Sequence, residues 1–303
     1  MPELPEVETI RTDLEQYVPG RSFSGVELLW AGSIDRPPAE ELAAALRGRT
    51  VTALERRGKY LVLRLAGGGA LVVHLRMTGR LRWQEAGAPR DRHARVVLLL
   101  DDGHELHFDD QRKFGRLYFV PDEAGLAEVL VRVGPEPLVE DFTRPALKRM
   151  LQGRRGRLKP LLMDQAFLAG MGNIYVDEAL WRARLHPLRR SDTLTPAEIG
   201  RLYEGVVDAL RQGIANRGTT LAAYRDLAGT VGQNQEQLFV FRREGQPCPR
   251  CGTPIEKIRV GGRATHFCPR CQRLPEEQTP TGRSPQARGG RGRTSSSPPS
   301  SPP

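Results

Sequence analysis

The N-terminal stretch has the apolar spacing of a helix. Pro5 suits the first turn of such a helix, and Pro19-Gly20 suits its end. The apolar residues that recur at helical intervals between these limits are Val7, Ile10, Leu14 and Tyr17. We therefore predict a helix that begins almost at the N-terminus and buries this face.

From about residue 23 to residue 120 the pattern changes to short runs rich in valine, leucine and aromatic residues. The clearest runs are Tyr60 to Leu65, Ala70 to Leu75, Arg95 to Leu100 and Leu117 to Val120. Turns such as Gly67-Gly68-Gly69 and Asp101-Asp102-Gly103 separate them. Short strands between turns predict an antiparallel sandwich or barrel, which together with the first helix forms a domain over residues 2–125.

Helical periodicity begins after a Gly-Pro-Glu-Pro turn. The clearest helix has Thr195 as N-cap, Pro196 at its first position and Glu198 completing a capping box. The apolar face of this helix consists of Ile199, Leu202, Val206, Leu210 and Ile214. We predict a helical second domain over residues 135–218, with Gly218 as the C-cap of its last helix.

The remainder of the chain divides by composition. Residues 219–237 are polar and contain Gly229 and Gly232, which is typical of a linker or a binding loop. A cysteine-containing module occupies residues 238–273. Proline, glycine, serine and arginine dominate residues 274–303, which we expect to be disordered because this composition cannot bury a core.

The net charge favours a polyanionic partner. The 303 residues carry 46 Lys and Arg against 36 Asp and Glu, a formal charge of +10, which favours nucleic acid; an arginine-rich composition without such a function is the alternative. No apolar run approaches the roughly 18 residues that span a bilayer, so no membrane partner is expected. The acidic first residues contain no secretory signal, which predicts a cytoplasmic protein.

The four cysteines lie in two pairs, Cys248 with Cys251 and Cys268 with Cys271, and each pair encloses two residues. Four thiolates complete the tetrahedral coordination of Zn²⁺ and leave no position for water. The spacing therefore predicts one structural zinc ion rather than a catalytic one. A purely structural or redox role for the cluster, without DNA, is the alternative.

Between the cysteine pairs, Ile255 to Val260 and Arg263 to Phe267 have the pattern of two strands joined through Gly261-Gly262. This hairpin exposes Arg259 and Arg263. Each arginine either belongs to a solvated surface or, in a DNA-binding protein, clamps a phosphate.

The N-terminus itself is a candidate reagent. Removal of Met1 would leave the secondary amine of Pro2, and an α-amino pKa of about 7.7 to 8.0 provides a neutral, nucleophilic fraction. Attack of this amine on a sugar C1′ expels the base and forms an iminium that permits β-elimination. Glu3 lies next to the amine and can serve as acid and base. An ordinary Pro-Glu helix start is the alternative.

Several motifs favour a reactive N-terminus over an ordinary helix start. Pro2-Glu3-Leu4-Pro5-Glu6-Val7-Glu8-Thr9 resembles the N-terminal signature of bacterial formamidopyrimidine-DNA glycosylase. Further motifs that resemble this family, in the expected order, are His74 to Gly79, Asp109 to Gly115, Gly172 to Glu178 and the cysteine module. The resemblance covers residue 1 to about residue 273. Leu4 stands where the related endonuclease VIII group usually has glycine, which favours the purine enzyme.

The resemblance implies an α+β multidomain fold. Its parts are an N-terminal helix with an antiparallel β-sandwich, a helix-two-turn-helix domain and a C-terminal zinc β-hairpin. It also implies that Pro2 forms the Schiff base, that Glu3 is the acid and base, and that Lys59 acts at the lesion and in β-elimination. By the same resemblance, Arg263 grips the phosphate beside the lesion and assists δ-elimination.

Met77, Arg112 and Phe114 resemble the residues that family members insert into the stack when the damaged base is extruded. Chemically they suit this role, since methionine and phenylalanine open a base step and arginine bonds the orphaned base. Taken alone, without the resemblance, Met77 and Phe114 favour a position in the core. Lys113 stands where many members have arginine, which keeps the charge and loses the fork geometry.

The remaining DNA contacts that the resemblance implies are His74, His93, Arg154, Lys159 and Asn173. Asn173 starts a helix whose first N–H groups favour a phosphate; an N-cap role is the alternative. Residues 219–237 resemble a loop that closes over the extruded purine, and Thr78 stands where some relatives have glutamate. Glu6 either supports the site through a hydrogen bond or lies on a solvated helix face.

The expected function is that of a monomeric, nucleoid-associated DNA glycosylase and abasic-site lyase. Its partner is duplex DNA that contains oxidised purines such as 8-oxoguanine and formamidopyrimidines. An oxidised-pyrimidine glycosylase of the endonuclease VIII type is one alternative. A non-catalytic DNA-binding protein that uses only the zinc hairpin and its basic surface is another.

Overall fold

The computed structural model of the protein describes residues 2–222 and 224–278. Its first helix, α1 (Leu4–Leu14), starts where the Glu6 carboxylate accepts the Glu3 backbone N–H and Pro5 occupies the first turn. The predicted face of Val7, Ile10 and Leu14 is buried. The helix ends before Tyr17, whose side chain is 43% exposed, so the prediction of Tyr17 as part of this face is wrong.

Nine strands form two packed sheets. They are β1 (Phe23–Leu28), β2 (Ile34–Arg36), β3 (Val51–Arg57), β4 (Tyr60–Leu65), β5 (Ala70–His74), β6 (Gly79–Glu85), β7 (Ala94–Leu100), β8 (His104–Asp110) and β9 (Arg116–Val120). One sheet has the order β1-β7-β8-β6 and the other β2-β9-β5-β4-β3. All pairs are antiparallel except β2 with β9. Apolar residues of both sheets share one core with α1, which confirms the predicted sandwich.

The other helices are α2 (Ala39–Leu46), α3 (Glu123–Leu130), α4 (Arg144–Leu151), α5 (Leu158–Met163), α6 (Asn173–Ala183) and α7 (Pro196–Ala215). The capping box of Thr195 and Glu198 at the start of α7 is as predicted. The predicted C-cap is wrong, because α7 ends at Ala215 and Asn216 is the C-cap. Gly218 lies two residues further on, where its N–H donates to Gly213 O at 2.8 Å and closes a Schellman-type turn.

Leu4 connects the two domains. Its side chain belongs to the apolar core of α4 to α7, and its N–H donates to Gly170 O at 3.0 Å. Gly170 has φ +83, and a Cβ there would lie 2.6 Å from Leu4 Cδ1. Only glycine fits this close approach. The start of α1 is thereby pressed against the segment that leads into α6.

Strands β10 (Glu256–Val260) and β11 (Arg263–Phe267) form the predicted hairpin. Residues 276–278 form one 3-10 turn, and the Gln278 side chain bonds Arg190 N and Thr193 Oγ1. The expectation of disorder is therefore wrong for this start of the tail, which has hydrogen-bond partners; residues 279–303 and Met1 lie outside the described residues. Among those described, no helix is long and apolar enough to cross a membrane.

Candidate active site and DNA interface

Glu3 is held at the N-terminus of α6. Its carboxylate is 2% exposed and accepts the N–H of Ile174 at 3.0 Å and of Tyr175 at 3.3 Å. Free N–H groups and the helix dipole stabilise an anion there. We expected a DNA phosphate at this helix start, whereas the structure places the Glu3 carboxylate on two of these N–H groups. Pro2, which is also buried, is thus fixed beside α6.

Glu6 lies behind Glu3 and is 1% exposed. Its carboxylate accepts hydrogen bonds from Glu3 N, the Tyr175 hydroxyl and Thr219 N, each at 2.7 Å. Burial and the nearby Glu3 charge raise the pKa of Glu6 to about 6. The sequence left open whether Glu6 supports the site through a hydrogen bond or lies on a solvated helix face. The buried, hydrogen-bonded carboxylate confirms the first interpretation.

Lys59 brings an amine to the same place. Its side chain is 6% exposed, and its Nζ donates to Met171 O at 2.8 Å. Burial lowers the pKa of Lys59, while the negative charges of Glu3 and Glu6 raise it and the charge of Arg263 lowers it. Charged groups from three distant parts of the sequence, namely Glu3 with Glu6, Lys59, and Arg263, therefore lie close enough to influence one another.

His74 lies at the end of β5 and is 7% exposed. Burial lowers the pKa of His74 to about 3, so the ring is neutral at physiological pH. Its Nδ1 accepts the N–H of Arg76 at 3.0 Å, which leaves Nε2 as the N–H donor. A neutral donor of this kind can bond a phosphate oxygen.

The three residues that we expected to enter the base stack are exposed. Met77 is 37% and Phe114 46% exposed, which rules out the core reading for both. The Arg112 guanidinium lies 4.8 Å from the Phe114 ring centroid, and Arg112 N donates to Thr78 Oγ1 at 3.0 Å. Thr78 in turn bonds the buried Asp110. The two loops that carry these residues are thus joined.

A cavity of about 230 Å³ lies beside these loops. Its walls include Thr78 and His93 on one side and Ala222 and Arg225 of the segment 219–237 on the other. Tyr224 and Leu227 anchor this segment in the core of the sandwich. The segment therefore packs against the sandwich and lines part of this cavity.

The four cysteine sulfurs lie within 4.8 Å of one another. This spacing fits tetrahedral zinc, whose Zn–S bonds of about 2.3 Å place sulfurs about 3.8 Å apart. Trp181 Nε1 donates to Cys248 Sγ at 3.4 Å, and Cys271 N donates to Cys268 Sγ at 3.4 Å. Such N–H groups stabilise metal-bound thiolates. The residues present fit a structural metal, with zinc as the ion that their chemistry favours.

Comparisons with known proteins agree with this geometry. Family models match as the formamidopyrimidine-DNA glycosylase N-terminal domain over residues 1–117, its H2TH domain over 133–224, and the zinc finger found in FPG and IleRS over 245–274. Formamidopyrimidine-DNA glycosylase of Pelotomaculum thermopropionicum is 49% identical over 276 residues, 90% of this chain and 100% of that protein. The chain belongs to this family.

Solved structures of the formamidopyrimidine-DNA glycosylase family have the same fold. Lactococcus lactis Fpg in complex with DNA containing an abasic site has a TM-score of 0.84 and 36% identity, covering 90% of this chain and 100% of that one. A mutant of the same protein with DNA containing Fapy-dG has a TM-score of 0.85, with the same identity and coverage. The predicted α+β architecture is confirmed.

Within this family fold, the expected DNA contacts divide by exposure. Arg154, which follows α4, is exposed, and His93 is partly exposed at the cavity. Lys159 is fully buried, with Nζ 2.6 Å from Asp177 Oδ1 and 3.0 Å from Asn173 O. The expected direct DNA contact of Lys159 does not agree with this burial, because its ammonium is already paired inside the protein.

Asn173 is the first residue of α6, and Gly172 is the N-cap, so the N-cap reading of Asn173 is wrong. Its Nδ2 donates to Ala264 O at 3.0 Å and thereby reaches the zinc hairpin. Tyr175, Asp177 and Thr219 were missed as site residues. The motif Gly172 to Glu178, which starts α6, contains the first two, but their roles depend on partners far along the chain, which spacing alone does not reveal.

Proposed function

We propose that the protein removes oxidised purines, 8-oxoguanine and formamidopyrimidines, from duplex DNA and then cleaves the strand by β,δ-elimination. As a member of the formamidopyrimidine-DNA glycosylase family, it is a DNA glycosylase that acts on damaged DNA. The observation that carries the finer proposal is the assembly of Pro2, Glu3, Lys59 and Arg263 around the start of α6.

The chemistry starts at the mature N-terminus, once Met1 has been removed. The Pro2 nitrogen attacks C1′ and forms a C–N bond while the glycosidic bond breaks; the Glu3 carboxylate takes the proton that the Pro2 nitrogen loses, and the departing base takes a proton from solvent. The sugar ring opens when its O4′ is protonated, for which Glu3 is the nearest acid, and an iminium remains at C1′.

Strand cleavage follows from the iminium. Its positive charge acidifies C2′, a base removes that proton, and the C3′–O bond breaks with phosphate as leaving group. A second proton loss breaks the C5′–O bond in the same way. Lys59, whose pKa burial lowers, is suited to one of these proton transfers, and Arg263 is suited to stabilise the departing phosphate.

Recognition of the damaged base is proposed for the cavity that segment 219–237 helps to line. Its volume of about 230 Å³ suits a flipped nucleobase, which must leave the stack before C1′ is reached. Met77, Arg112 and Phe114 fill the gap in the duplex. The solved relatives bound to DNA with an abasic site or with Fapy-dG support damaged duplex DNA as the partner. One structural zinc ion, held by the four cysteines, supports the hairpin of Arg263.

Product analysis tests this proposal against its alternatives. Duplexes with 8-oxoguanine opposite cytosine or with thymine glycol are incubated with the zinc-loaded protein and with its Glu3→Gln variant. We expect faster release of 8-oxoguanine, a one-nucleotide gap with phosphate at both ends, and loss of about 100-fold or more in the variant. Preferred release of thymine glycol would support the endonuclease VIII alternative, and binding without release would support a DNA-binding protein.

A further inference from the structure

One carboxylate of α6 joins three elements. Asp177 is 1% exposed, and its Oδ1 lies 2.6 Å from Nζ of Lys159 on α5. Its Oδ2 accepts the backbone N–H of His266 on β11 at 2.9 Å. The same side chain therefore holds a buried ammonium and a strand of the zinc hairpin.

Asn173 adds a second bond to the same strand. It lies one turn before Asp177 on the same face of α6, and its Nδ2 donates to Ala264 O at 3.0 Å. Ala264 and His266 are two residues apart, so their backbone groups point to the same edge of β11. In a two-stranded hairpin this outer edge has no strand partner, and α6 side chains occupy it instead.

The position of Arg263 depends on this attachment. Arg263 directly precedes Ala264 at the start of β11 and is exposed. Within the described part of the chain it has no ion pair of its own, so its location follows from that of the strand. Burial lowers the pKa of Lys159 and Asp177 raises it, while Glu3 and Arg263 both influence it. The buried pair of Lys159 and Asp177 therefore lies within electrostatic range of both Glu3 and Arg263.

A buried ion pair is seldom retained for stability alone, because its desolvation cost offsets most of the attraction. We propose that Asp177 is a positioning residue that fixes the zinc hairpin, and with it Arg263, against the start of α6. This inference rests on the proposed lyase function, in which Arg263 serves the second elimination. Loss of the bond to His266 then lowers δ-elimination more than base release.

Two double variants isolate this bond. Lys159→Met/Asp177→Asn and Lys159→Met/Asp177→Leu both remove the buried charges, and Asn and Leu have nearly the same shape. Only the asparagine keeps an oxygen that can accept the His266 N–H. Asp208→Asn, at an exposed position of α7, is the control for loss of a carboxylate.

The measurements are the rate of base release, the ratio of δ- to β-elimination products, zinc content and hydrogen exchange of the His266 amide. We expect the asparagine variant to keep the wild-type product ratio within about twofold. The leucine variant should lose about tenfold in this ratio, with base release changed by less than about threefold and faster exchange at His266.

Equal product ratios in the two double variants would overturn the inference, whether both match the wild type or both fall. A wild-type protein that releases base without cutting the strand would instead contradict the proposed function. In that case the inference is judged on exchange at His266, which should be faster in the leucine variant and unchanged in the asparagine variant.

Discussion

At the scale of single residues, Glu6 shows how burial sets chemistry. Its carboxylate accepts hydrogen bonds from Glu3 N at the start of α1, from the Tyr175 hydroxyl on α6 and from Thr219 N at the start of segment 219–237. Burial nevertheless raises its pKa to about 6, since the desolvation cost and the charge of Glu3 outweigh these bonds. Glu6 thus connects the N-terminus to the segment 219–237 through hydrogen bonds. Its ionisation free energy in the folded protein differs from that in the unfolded chain.

This difference predicts a pH dependence of stability. Between about pH 4.5 and pH 6 the folded protein binds more protons at Glu6 than the unfolded chain, so the free energy of unfolding falls as pH rises. The difference between the ordinary pKa of 4.5 and the folded-state pKa of about 6 corresponds to about 2 kcal/mol in the free energy of unfolding. Denaturant unfolding from about pH 4.5 to 7 should show a flatter profile for Glu6→Gln. Profiles of equal slope would contradict the assignment.

Residue chemistry was readable from the sequence where it is local. The four cysteines and the exposed Arg263 follow from spacing within one hairpin. The burial of Lys159 does not, because its partner Asp177 is eighteen residues away on another helix. Met77 and Phe114 were ambiguous for a similar reason, since only the packing of two loops decides whether an apolar side chain is covered.

At the scale of elements, the start of α6 organises the site. Its N–H groups bind Glu3, and its first residues contact the zinc hairpin and Glu6. Gly172 permits this approach, because a Cβ there would lie 2.4 Å from Glu3 Cδ. The start of this helix thus fixes where the Glu3 carboxylate lies.

Gly172→Ala should therefore displace Glu3 and reduce base release by about 100-fold, with DNA binding largely retained. Gly156→Ala is the matched control, since its Cβ would meet nothing within 4 Å. Single-turnover excision and equilibrium binding to lesion-containing duplex measure the two effects. Wild-type excision by Gly172→Ala would show that Glu3 need not occupy this position.

Most elements were predictable because hydrophobic period and turn residues agree along the chain. Strand β4 and the capping box of α7 are found as predicted. The ends of helices were less predictable: α1 stops before Tyr17, and Asn216 rather than Gly218 is the C-cap of α7, with both Arg217 and Gly218 at positive φ. Tertiary hydrogen bonds determine those ends, and single-sequence patterns do not contain them.

At the scale of the whole molecule, the site lies where all parts of the fold meet. The first helix contributes Glu3, the sandwich Lys59, the helical domain the start of α6, and the zinc hairpin Arg263. The net charge of +10 favours association with the phosphates of DNA, and the buried carboxylate of Asp177 pairs with the Lys159 ammonium next to α6. Sequence reasoning named these residues through resemblance, and the fold explains how they come together.

The most direct test of the account is borohydride trapping on a duplex with 8-oxoguanine opposite cytosine, followed by mapping of the cross-linked peptide. The account predicts a covalent adduct on the amine of Pro2 in the processed, zinc-loaded protein. In Pro2→Gly, no adduct should form at the wild-type rate. An adduct on Lys59 instead, or no adduct from a protein that still releases the base, would contradict the N-terminal proline mechanism.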